Sequence, residues 1–433
     1  MSPLTIEIHD NGKWHEAAVV HLLGSESEGT AAKTRMAYDP DFTFQFESSN
    51  KRASVSLRHP ISLELINLNT WPSFLLDLLP QGHALKFVEK FYKLRDLPQN
   101  YWNILQNCKM SPPGNLRVRV DSDSIMQNSN PSKIVGFSKS DVLLNNEHFI
   151  DHMISAGAPV SGSTGASGAA PKFLLRENSD GLYFADGVLP DLETKHSWLV
   201  KFPRGKHQSD YDILKSEALL FSIAKLSGLD AQGQCFFENG ALFVERFDRI
   251  KKTSGEIELY GLESFYSAIG STIYGEFEKH DNFLSLIAKH STQPETDLAE
   301  YIARDAFSLA CKNTDNHGRN FSFLKSANKV RLSPVYDMAP MAWDSEGISR
   351  STHWQDQNKT WQIEINSLIK NEIISGDHFY TELEKRVIGL LDSWSLLQKT
   401  ELKSLFSKYR VLEKDWFAGL IQLKTGLDNK WAE

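Results

Sequence analysis

The eight residues 313–320, NTDNHGRN, constrain the fold of this chain more than any other segment. LAEYIARDAFSLACK precedes them with helical periodicity, and FSFLK and KVRLSPVYD follow with alternating apolar and polar residues around the turn-like SAN. This pattern predicts a helix, a loop and a β-hairpin that folds back near residues 327–328. We therefore expect Asp315, Asn320 and Asp337 to meet at one loop mouth.

Two carboxylates and an amide in one place suit phosphoryl transfer. Asp315 and Asn320 are five positions apart, the separation that protein kinases use between the catalytic-loop Asp and its magnesium-binding Asn. Asp337 would supply a second hard oxygen ligand for the metal. The alternative is that these residues build only a tight turn of the Asx type. His317 either orients Asp315 or packs beneath the loop. Of these two roles we favour packing.

The part of the chain before this loop contains weaker indications of a phosphate-binding site. Lys201 lies in the strand-like SWLVKFP, and Glu217 falls within the apolar stripe of the helical DILKSEALLFSIAKL. A Lys201–Glu217 ion pair would explain both residues, because a carboxylate in an apolar stripe is costly unless it is paired. Alternatively, Glu217 lies at the margin of the stripe in water and Lys201 keeps an edge strand soluble. The Gly/Ser-rich residues 161–172 could offer backbone N–H groups to phosphates, although they match neither GxxxxGKS nor GxGxxG.

Composition excludes several classes of protein. With 433 residues and 41% hydrophobic side chains, the chain can form packed cores and is not intrinsically disordered as a whole. A formal charge of −8 argues against a self-sufficient nucleic-acid binder. The three dispersed cysteines give neither a disulfide framework nor a CxxC zinc site. No apolar run reaches membrane-spanning length and the start lacks the pattern of a secretory signal, so we expect a cytoplasmic protein without a membrane partner.

Four motifs resemble those of the HipA family of serine/threonine protein kinases, the toxins of type II toxin–antitoxin modules linked to persistence. NTDNHGRNFSFL resembles the N-x-D-x-H-x-x-N-F-S loop of that family, and LSPVYDMAP resembles its L-x-P-x-Y-D motif. VERFDR is similar to its hinge strand, and GASGAAPKFLL to its glycine loop ending in Lys. ISLELINLN and FLLDLLPQG resemble the small domain that precedes the kinase core. The resemblance covers nearly the whole chain.

The resemblance implies a fold and a set of site residues. The fold is α+β: a small mixed N-terminal domain (1–115), then a bilobal kinase-like core with a β-rich N-lobe (116–250) and an all-helical C-lobe (251–433). Asp315 would be the catalytic base, and Asn320 and Asp337 the magnesium ligands. Lys201 would contact the ATP phosphates, with Glu217 as its candidate ion-pair partner. The remaining ATP-binding residues would be Ala166, Ser167, Gly168, Ala169, Ala170 and Lys172 in the glycine loop, with backbone groups of Glu245 and Phe247 in the hinge.

The resemblance also implies a biological role. Family members use ATP and Mg²⁺ to phosphorylate a serine of glutamyl-tRNA synthetase or a related translation protein. A HipB-like antitoxin dimer restrains them, contacts operator DNA, and represses the operon together with them. Two departures bear on regulation. Gly165 occupies the position of the autophosphorylated serine, so Ser163 or Thr164 would have to replace it, and Lys312 replaces the leading glycine of the loop motif.

Two other functions remain open. The chain could be a weak or inactive kinase that acts as a binding module and bridges antitoxin dimers on DNA, for which the acidic net charge would suit a basic partner. It could also be a small-molecule kinase on the same scaffold. The protein substrate, the antitoxin, direct DNA contacts and the oligomeric state are not encoded in recognisable motifs.

Overall fold

The computed structural model describes residues 2–46, 53–80, 85, 88–90, 101–108, 111–120, 135–145, 147–156, 158, 171–273, 275–326, 329–354 and 361–428. The strands in these ranges are β1 Leu4–Asp10, β2 Lys13–Leu22, β3 Thr34–Tyr38, β4 Ile66–Leu68, β5 Leu116–Val118, β6 Lys172–Asn178, β7 Tyr183–Ala185, β8 Thr194–Lys201, β9 Cys235–Glu238, β10 Ala241–Glu245, β11 Arg249–Lys251, β12 Ile257–Leu259, β13 Gly261–Ser264, β14 Glu278–Lys279, β15 Ser322–Ser326, β16 Lys329–Leu332 and β17 Thr352–His353.

The helices in the same ranges are α1 Pro40–Phe46, α2 Leu75–Leu78, α3 Tyr101–Asn107, α4 Lys139–Leu144, α5 Glu147–Ser155, α6 Gln208–Leu226, α7 Phe265–Ile269, α8 His280–His290, α9 Pro294–Ala310, α10 Gln362–Lys370, α11 Gly376–Leu397, α12 Leu402–Lys408 and α13 Glu413–Asp428. Helices and strands both contribute substantially, so the predicted α+β class is confirmed. None of these helices is long and apolar enough to cross a membrane.

The chain divides into two compact units. Unit 1 comprises Met1–Arg204, Phe243–Tyr274 and Phe323–Lys329, and unit 2 comprises Gly205–Leu242, Gly275–Ser322 and Val330–Glu433. The three segments expected from the sequence, 1–115, 116–250 and 251–433, do not coincide with these units. That three-part division stays a prediction.

The N-terminal sheet of unit 1 follows directly from the alternating sequence. Its strand order is β4-β3-β2-β1-β5 with antiparallel pairing throughout. Asn11 and Gly12 connect β1 to β2 with φ angles of 47° and 78°. This left-handed pair is the turn that a two-residue hairpin favours. The apolar face of the sheet covers a core that includes Trp71 and Trp102, whose rings contact edge-to-face at 5.1 Å.

The second sheet of unit 1 carries the predicted Lys strand. β6 lies between β7 and β8, and β10 lies on the other side of β8. β6 and β8 pair antiparallel in a register that places Lys172 opposite Lys201. At the end of β10, the backbone N–H of Arg246 donates to the carbonyl of Ser197 in β8 at 2.9 Å. The predicted hinge strand, β10, therefore lies next to the predicted Lys strand, β8, in the sheet.

A buried carboxylate explains why distant segments fold into unit 1 together. Glu263 accepts hydrogen bonds from Ser56 Oγ at 2.6 Å, from the Leu57 backbone N–H at 2.9 Å, and from Ser267 Oγ at 3.2 Å. Lys325 Nζ lies 3.2 Å from the same carboxylate, and both side chains are almost fully buried. Because an unpaired buried charge is costly, these contacts hold residues near 56, 263 and 325 together.

Unit 2 is organised around α9. This helix is buried on nearly every side and packs against α8, α11 and α13. Glu300 on α9 binds Arg304 Nε at 2.8 Å and Arg386 Nε of α11 at 2.6 Å. The segment expected to be all-helical, 251–433, is mainly helical but also contains β12 to β17. The short strands occur where alternating sequences such as FSFLK and KVRL interrupt the helical periodicity.

Candidate active site

The loop 313–320 lies where the sequence predicts it, between α9 and β15. The helix ends because Lys312 adopts a φ of 60°, in the left-handed region, and its carbonyl then accepts the backbone N–H of Ala342 at 3.1 Å. This conformation favours glycine, which explains why a glycine at this position suits the motif that the loop resembles. Lys312 therefore carries strain that a glycine would not have.

The chain reversal after the loop brings the second motif back to the first. The backbone N–H of Ser333 donates to the carbonyl of Ser322 at 2.8 Å, which fixes the register of the two arms, although residues 327–328 lie outside the described residues. Asp315, Asn320 and Asp337 consequently line one cleft, together with Arg304, Ser308, Asn313, Asn316, Phe321, Val335, Tyr336 and Met338. We call this the loop cleft. The convergence of the three polar residues is as the hairpin pattern predicts.

Asp315 is held on several sides. Its Oδ1 lies 3.3 Å from His317 Nε2, and its backbone carbonyl accepts Asn320 Nδ2 at 2.7 Å. His317 Nδ1 accepts the backbone N–H of Arg319 at 3.2 Å, so the ring proton of a neutral imidazole lies on Nε2 and faces Asp315. His317 is buried, as a packing role expects, and its ring also contacts the Asp315 carboxylate, so the structure is compatible with both roles. The sequence does not show which way this ring points.

Asn320 is suited to hold a cation. Its Nδ2 is occupied by the carbonyl of Asp315, whereas its Oδ1 is buried and has no hydrogen-bond partner in the described part of the chain. A buried carbonyl oxygen without a donor is costly, and a hard cation such as Mg²⁺ satisfies it. Asp337 lines the same cleft and can supply a carboxylate oxygen. Across the described ranges, no three His, Cys, Asp or Glu side chains form a group that could hold a metal ion. The amide oxygen of Asn320 and the carboxylate of Asp337 are hard oxygen donors of the kind that Mg²⁺ prefers.

Asp337 has an unusual backbone. Its φ is 52°, in the left-handed region that non-glycine residues rarely adopt. Asn313 Nδ2 donates to its carbonyl at 3.3 Å, and Asn313 Oδ1 accepts the backbone N–H of Asp315 at 3.1 Å. These contacts of Asn313 were not predicted from the sequence. The spacing Asn-x-Asp, typical of an Asx turn, is the signal that indicates the second of these contacts.

Arg304 and Asn316 also line the loop cleft without having been singled out from the sequence. Arg304 Nη1 donates to the carbonyl of Ser333 at 2.7 Å, which links α9 to the arm that leads to Asp337. Asn316 Nδ2 donates to the carbonyl of Thr352 at 2.8 Å, and its Oδ1 accepts the backbone N–H of Ser351 at 3.0 Å. No local pattern reveals these contacts, because each joins residues that are 29 to 36 positions apart.

The expected nucleotide-binding residues fall in the second sheet of unit 1. Lys172 and Lys201 are buried and directly opposite each other across β6 and β8, so their side chains leave the same face of the sheet. Glu245 ends β10, and its Oε1 lies 3.0 Å from His196 Nδ1. Phe247 is half-buried just beyond that strand. The adenine-binding role expected of Glu245 and Phe247 involves their backbone and stays a prediction.

The hinge-like sequence VERFDR has a structural role as well. Arg246 binds Asp186 Oδ2 at 2.6 Å and Asp248 Oδ2 at 2.7 Å, and Arg249 binds Asp248 Oδ2 at 2.9 Å. Burial alone would raise the pKa of Asp186, but Arg246, Arg249 and Arg176 hold it well below its usual range. The charged residues of this motif therefore stabilise the end of the sheet.

Several expected site residues cannot be placed. Residues 159–170 lie outside the described residues, and they include Ser163, Thr164, Gly165, Ala166, Ser167, Gly168, Ala169 and Ala170. Glu217 is buried in α6 of unit 2, and Lys201 is buried in β8 of unit 1. Their ion pair stays a prediction.

Comparison with known proteins yields a family and distant relatives. The profile of the HipA-like C-terminal domain matches residues 164–394. Y4mE of Sinorhizobium fredii, a protein named as a kinase, is 27% identical over 146 residues, which is 32% of this chain and 33% of that protein. The serine/threonine-protein kinase toxin HipA of Shewanella oneidensis is 25% identical over 193 residues, which is 40% of this chain and 42% of that protein. The chain thus matches well under half the length of each of these curated relatives.

A solved structure shares the fold along almost the whole chain. The Shewanella oneidensis complex of HipA, HipB and operator DNA contains a chain that superposes with a TM-score of 0.62 at 17% identity, covering 98% of this chain and 96% of that chain. The residues that form the loop cleft all lie within the region matched by the family profile. Because that profile matches more than half of the chain, this protein belongs to the HipA family.

Proposed function

We propose that this protein is an ATP- and Mg²⁺-dependent serine/threonine protein kinase in which Asp315 is the catalytic base. The observation that carries the proposal is the loop cleft, where Asp315 meets Asp337 and an Asn320 oxygen that has no donor in the described residues. Protein kinases use this set of groups, in this chain order, for transfer of the γ-phosphoryl group.

Each residue of the loop cleft has a distinct part in this chemistry. Asp315 accepts the proton of the attacking hydroxyl, and His317 Nε2, at 3.3 Å, keeps its carboxylate in one orientation. Asn320 Oδ1 and the Asp337 carboxylate hold Mg²⁺. A metal held there would supply positive charge against the negative charge of the transferring phosphoryl group.

Lys172 and Lys201 would supply positive charge to the phosphates from one face of their sheet, and Glu217 is the candidate ion-pair partner of Lys201. The segment 166–170 would offer backbone N–H groups to the phosphates, and the backbone of Glu245 and Phe247 would receive the adenine ring. The cross-strand placement of the two lysines supports this part of the proposal.

We further propose that the kinase is the toxin of a HipA/HipB-type module. The support comes from a curated relative named a HipA toxin kinase and from the shared fold with a HipA chain solved with HipB and operator DNA. The partner would be a HipB-like antitoxin dimer that carries most of the DNA contacts. The substrate would be a serine of glutamyl-tRNA synthetase or a related translation protein, with Ser163 or Thr164 as candidate autophosphorylation sites.

Phosphoryl transfer is tested by incubating the purified protein with Mg-ATP and measuring its intact mass and that of an added protein substrate. Asp315→Asn keeps an acceptor for His317 but removes the base, so we expect the rate of transfer to fall by about 10²–10⁴-fold. Asp315→Ala should be at least as impaired. Asp392→Ala, on the exposed face of α11, is the matched control and should label like the wild type.

The labelling results distinguish a wrong assignment of the base from a missing substrate. Labelling by Asp315→Ala at the wild-type rate would refute the assignment of the base. Absence of labelling in every variant, with a melting temperature that Mg-ATP still raises, would indicate that the correct external substrate is missing.

An alternative function is a binding module that bridges antitoxin dimers on DNA with little or no kinase activity. The fold shared with a chain from a HipB–operator complex favours it, as does the net charge of −8, which suits a basic partner. In a gel-shift assay this model requires that the protein shift operator DNA only when the antitoxin is present. A shift by the protein alone would contradict it.

A further inference from the structure

The side-chain amide of Asn313 connects the two carboxylate-bearing segments of the loop cleft. Its Oδ1 accepts the backbone N–H of Asp315 at 3.1 Å, and its Nδ2 donates to the backbone carbonyl of Asp337 at 3.3 Å. Asn313 is only 5% exposed, so water does not readily replace either contact. One rigid, planar group therefore sets the spacing between the expected base and the expected metal ligand.

The contact with Asp337 matters because that residue is held in a strained conformation. A non-glycine residue with a φ of 52° persists only when surrounding contacts favour it over the relaxed backbone. The Asn313 amide binds the carbonyl of Asp337 itself, so it holds the peptide group that follows the strained residue. Without this donor, we expect the backbone to relax and the Asp337 carboxylate to leave its place in the cleft.

We propose that Asn313 is a positioning residue that keeps Asp337 oriented for Mg²⁺ while it fixes the backbone of Asp315. This inference rests on the proposed kinase function and extends it to a residue whose side chain binds the backbone of both Asp315 and Asp337. Arg350 Nη1 lies 3.4 Å from the backbone carbonyl of Asn313 and is anchored by Asp305, so the backbone of Asn313 is linked to α9 as well.

The inference predicts a change in metal dependence rather than a general loss of activity. Asn313→Asp preserves the shape and the acceptor for Asp315 but loses the donor to Asp337. Asn313→Ala removes both contacts without adding charge. In both variants we expect the Mg²⁺ concentration for half-maximal transfer to rise at least about fivefold, as loss of one buried hydrogen bond implies. Excess Mg²⁺ should recover part of the rate, while the KM for ATP at saturating Mg²⁺ should change little.

Asn316→Asp is the matched comparison. Asn316 is a buried amide of the same loop, but its Nδ2 donates to Thr352 rather than to Asp337, so the variant adds the same charge and loses the same kind of donor. Its half-maximal Mg²⁺ concentration should match the wild type even where its rate is lower. An equal shift in the Asn316 and Asn313 variants, or no shift in Asn313→Ala, would overturn the inference.

A second readout separates this inference from the kinase proposal. The rise in melting temperature caused by ADP can be titrated with Mg²⁺ in the absence of turnover, and the Asn313 variants should need more metal for the same rise. If the wild type transferred no phosphate but showed this Mg²⁺-dependent rise, only the proposed function would fail. If ADP and Mg²⁺ did not change the wild-type melting temperature at all, the inference about Asn313 would fail too.

Discussion

The substitution Gly389→Ala offers a sharp test of the packing in unit 2. Gly389 lies in the middle of α11, where the helix meets the C-terminal end of α6. An ideally placed Cβ at this position would lie 2.1 Å from the carbonyl oxygen of Ser227, the C-cap residue of α6. Real Cβ atoms do not come this close to backbone oxygen atoms, so one of the two helices must move.

The sign of the effect follows from two opposing terms. Alanine favours a helix over glycine by up to about 1 kcal/mol. Overpacking a tight contact costs about 1–3 kcal/mol, and the value should fall at the upper end here because the obstructing atom belongs to the backbone. The net expectation is a loss of about 1–2 kcal/mol in the free energy of unfolding. For a unit of this size, that corresponds to a fall in melting temperature of roughly 2–8 °C.

Thermal and urea unfolding, followed by circular dichroism, measure this loss. Gly376→Ala is the matched control, since it places the same methyl group at the start of the same helix. There the nearest atom is the flexible Ile369 Cδ1 at 3.3 Å, so this variant should be neutral or slightly stabilised. If Gly389→Ala were as stable as Gly376→Ala, the close approach of the two helices would be refuted.

Two further predictions concern Lys312 and His280. Lys312→Gly should raise the free energy of unfolding by about 0.5–1 kcal/mol in urea titrations, because it relieves the left-handed conformation, whereas Lys289→Gly within α8 should lower it by about 1 kcal/mol. Burial lowers the pKa of His280 to about 4, so between pH 6.5 and 4 the unfolded state binds a proton that the folded state does not. Stability should therefore fall by about 2 kcal/mol from pH 7 to pH 5 through this residue, and His280→Gln should remove that part of the pH dependence.

Much of the candidate site was predictable because its signals are local. The loop between helix and hairpin follows from a change of period within about 40 residues, and the hairpin register then brings Asp337 to the loop of Asp315 and Asn320. The turn at Asn11-Gly12 is equally local. In each case the residues that define the structure are neighbours in the sequence, so pattern and turn chemistry suffice.

The contacts that orient the site were not predictable in the same way. The ring of His317 could pack or bind Asp315, and only the hydrogen bond from the Arg319 backbone to Nδ1 determines which nitrogen faces the carboxylate. The position of Glu263 beside Ser56 and Lys325 depends on residues more than 60 positions away. Side-chain orientation and long-range pairing depend on the tertiary fold, and a single sequence does not encode them as a pattern.

Two residues with strained backbones show how local and long-range contacts combine near the site. Lys312 and Asp337 both adopt left-handed backbone conformations, one just before the loop and one at the end of the returning arm. Each is stabilised by a contact from outside its own turn: the Ala342 N–H binds the carbonyl of Lys312, and the Asn313 amide binds the carbonyl of Asp337. Backbone strain at these two residues persists only because contacts from the surrounding fold stabilise both conformations. The geometry of the cleft therefore depends on contacts made across unit 2 as well as on the residues of the loop itself.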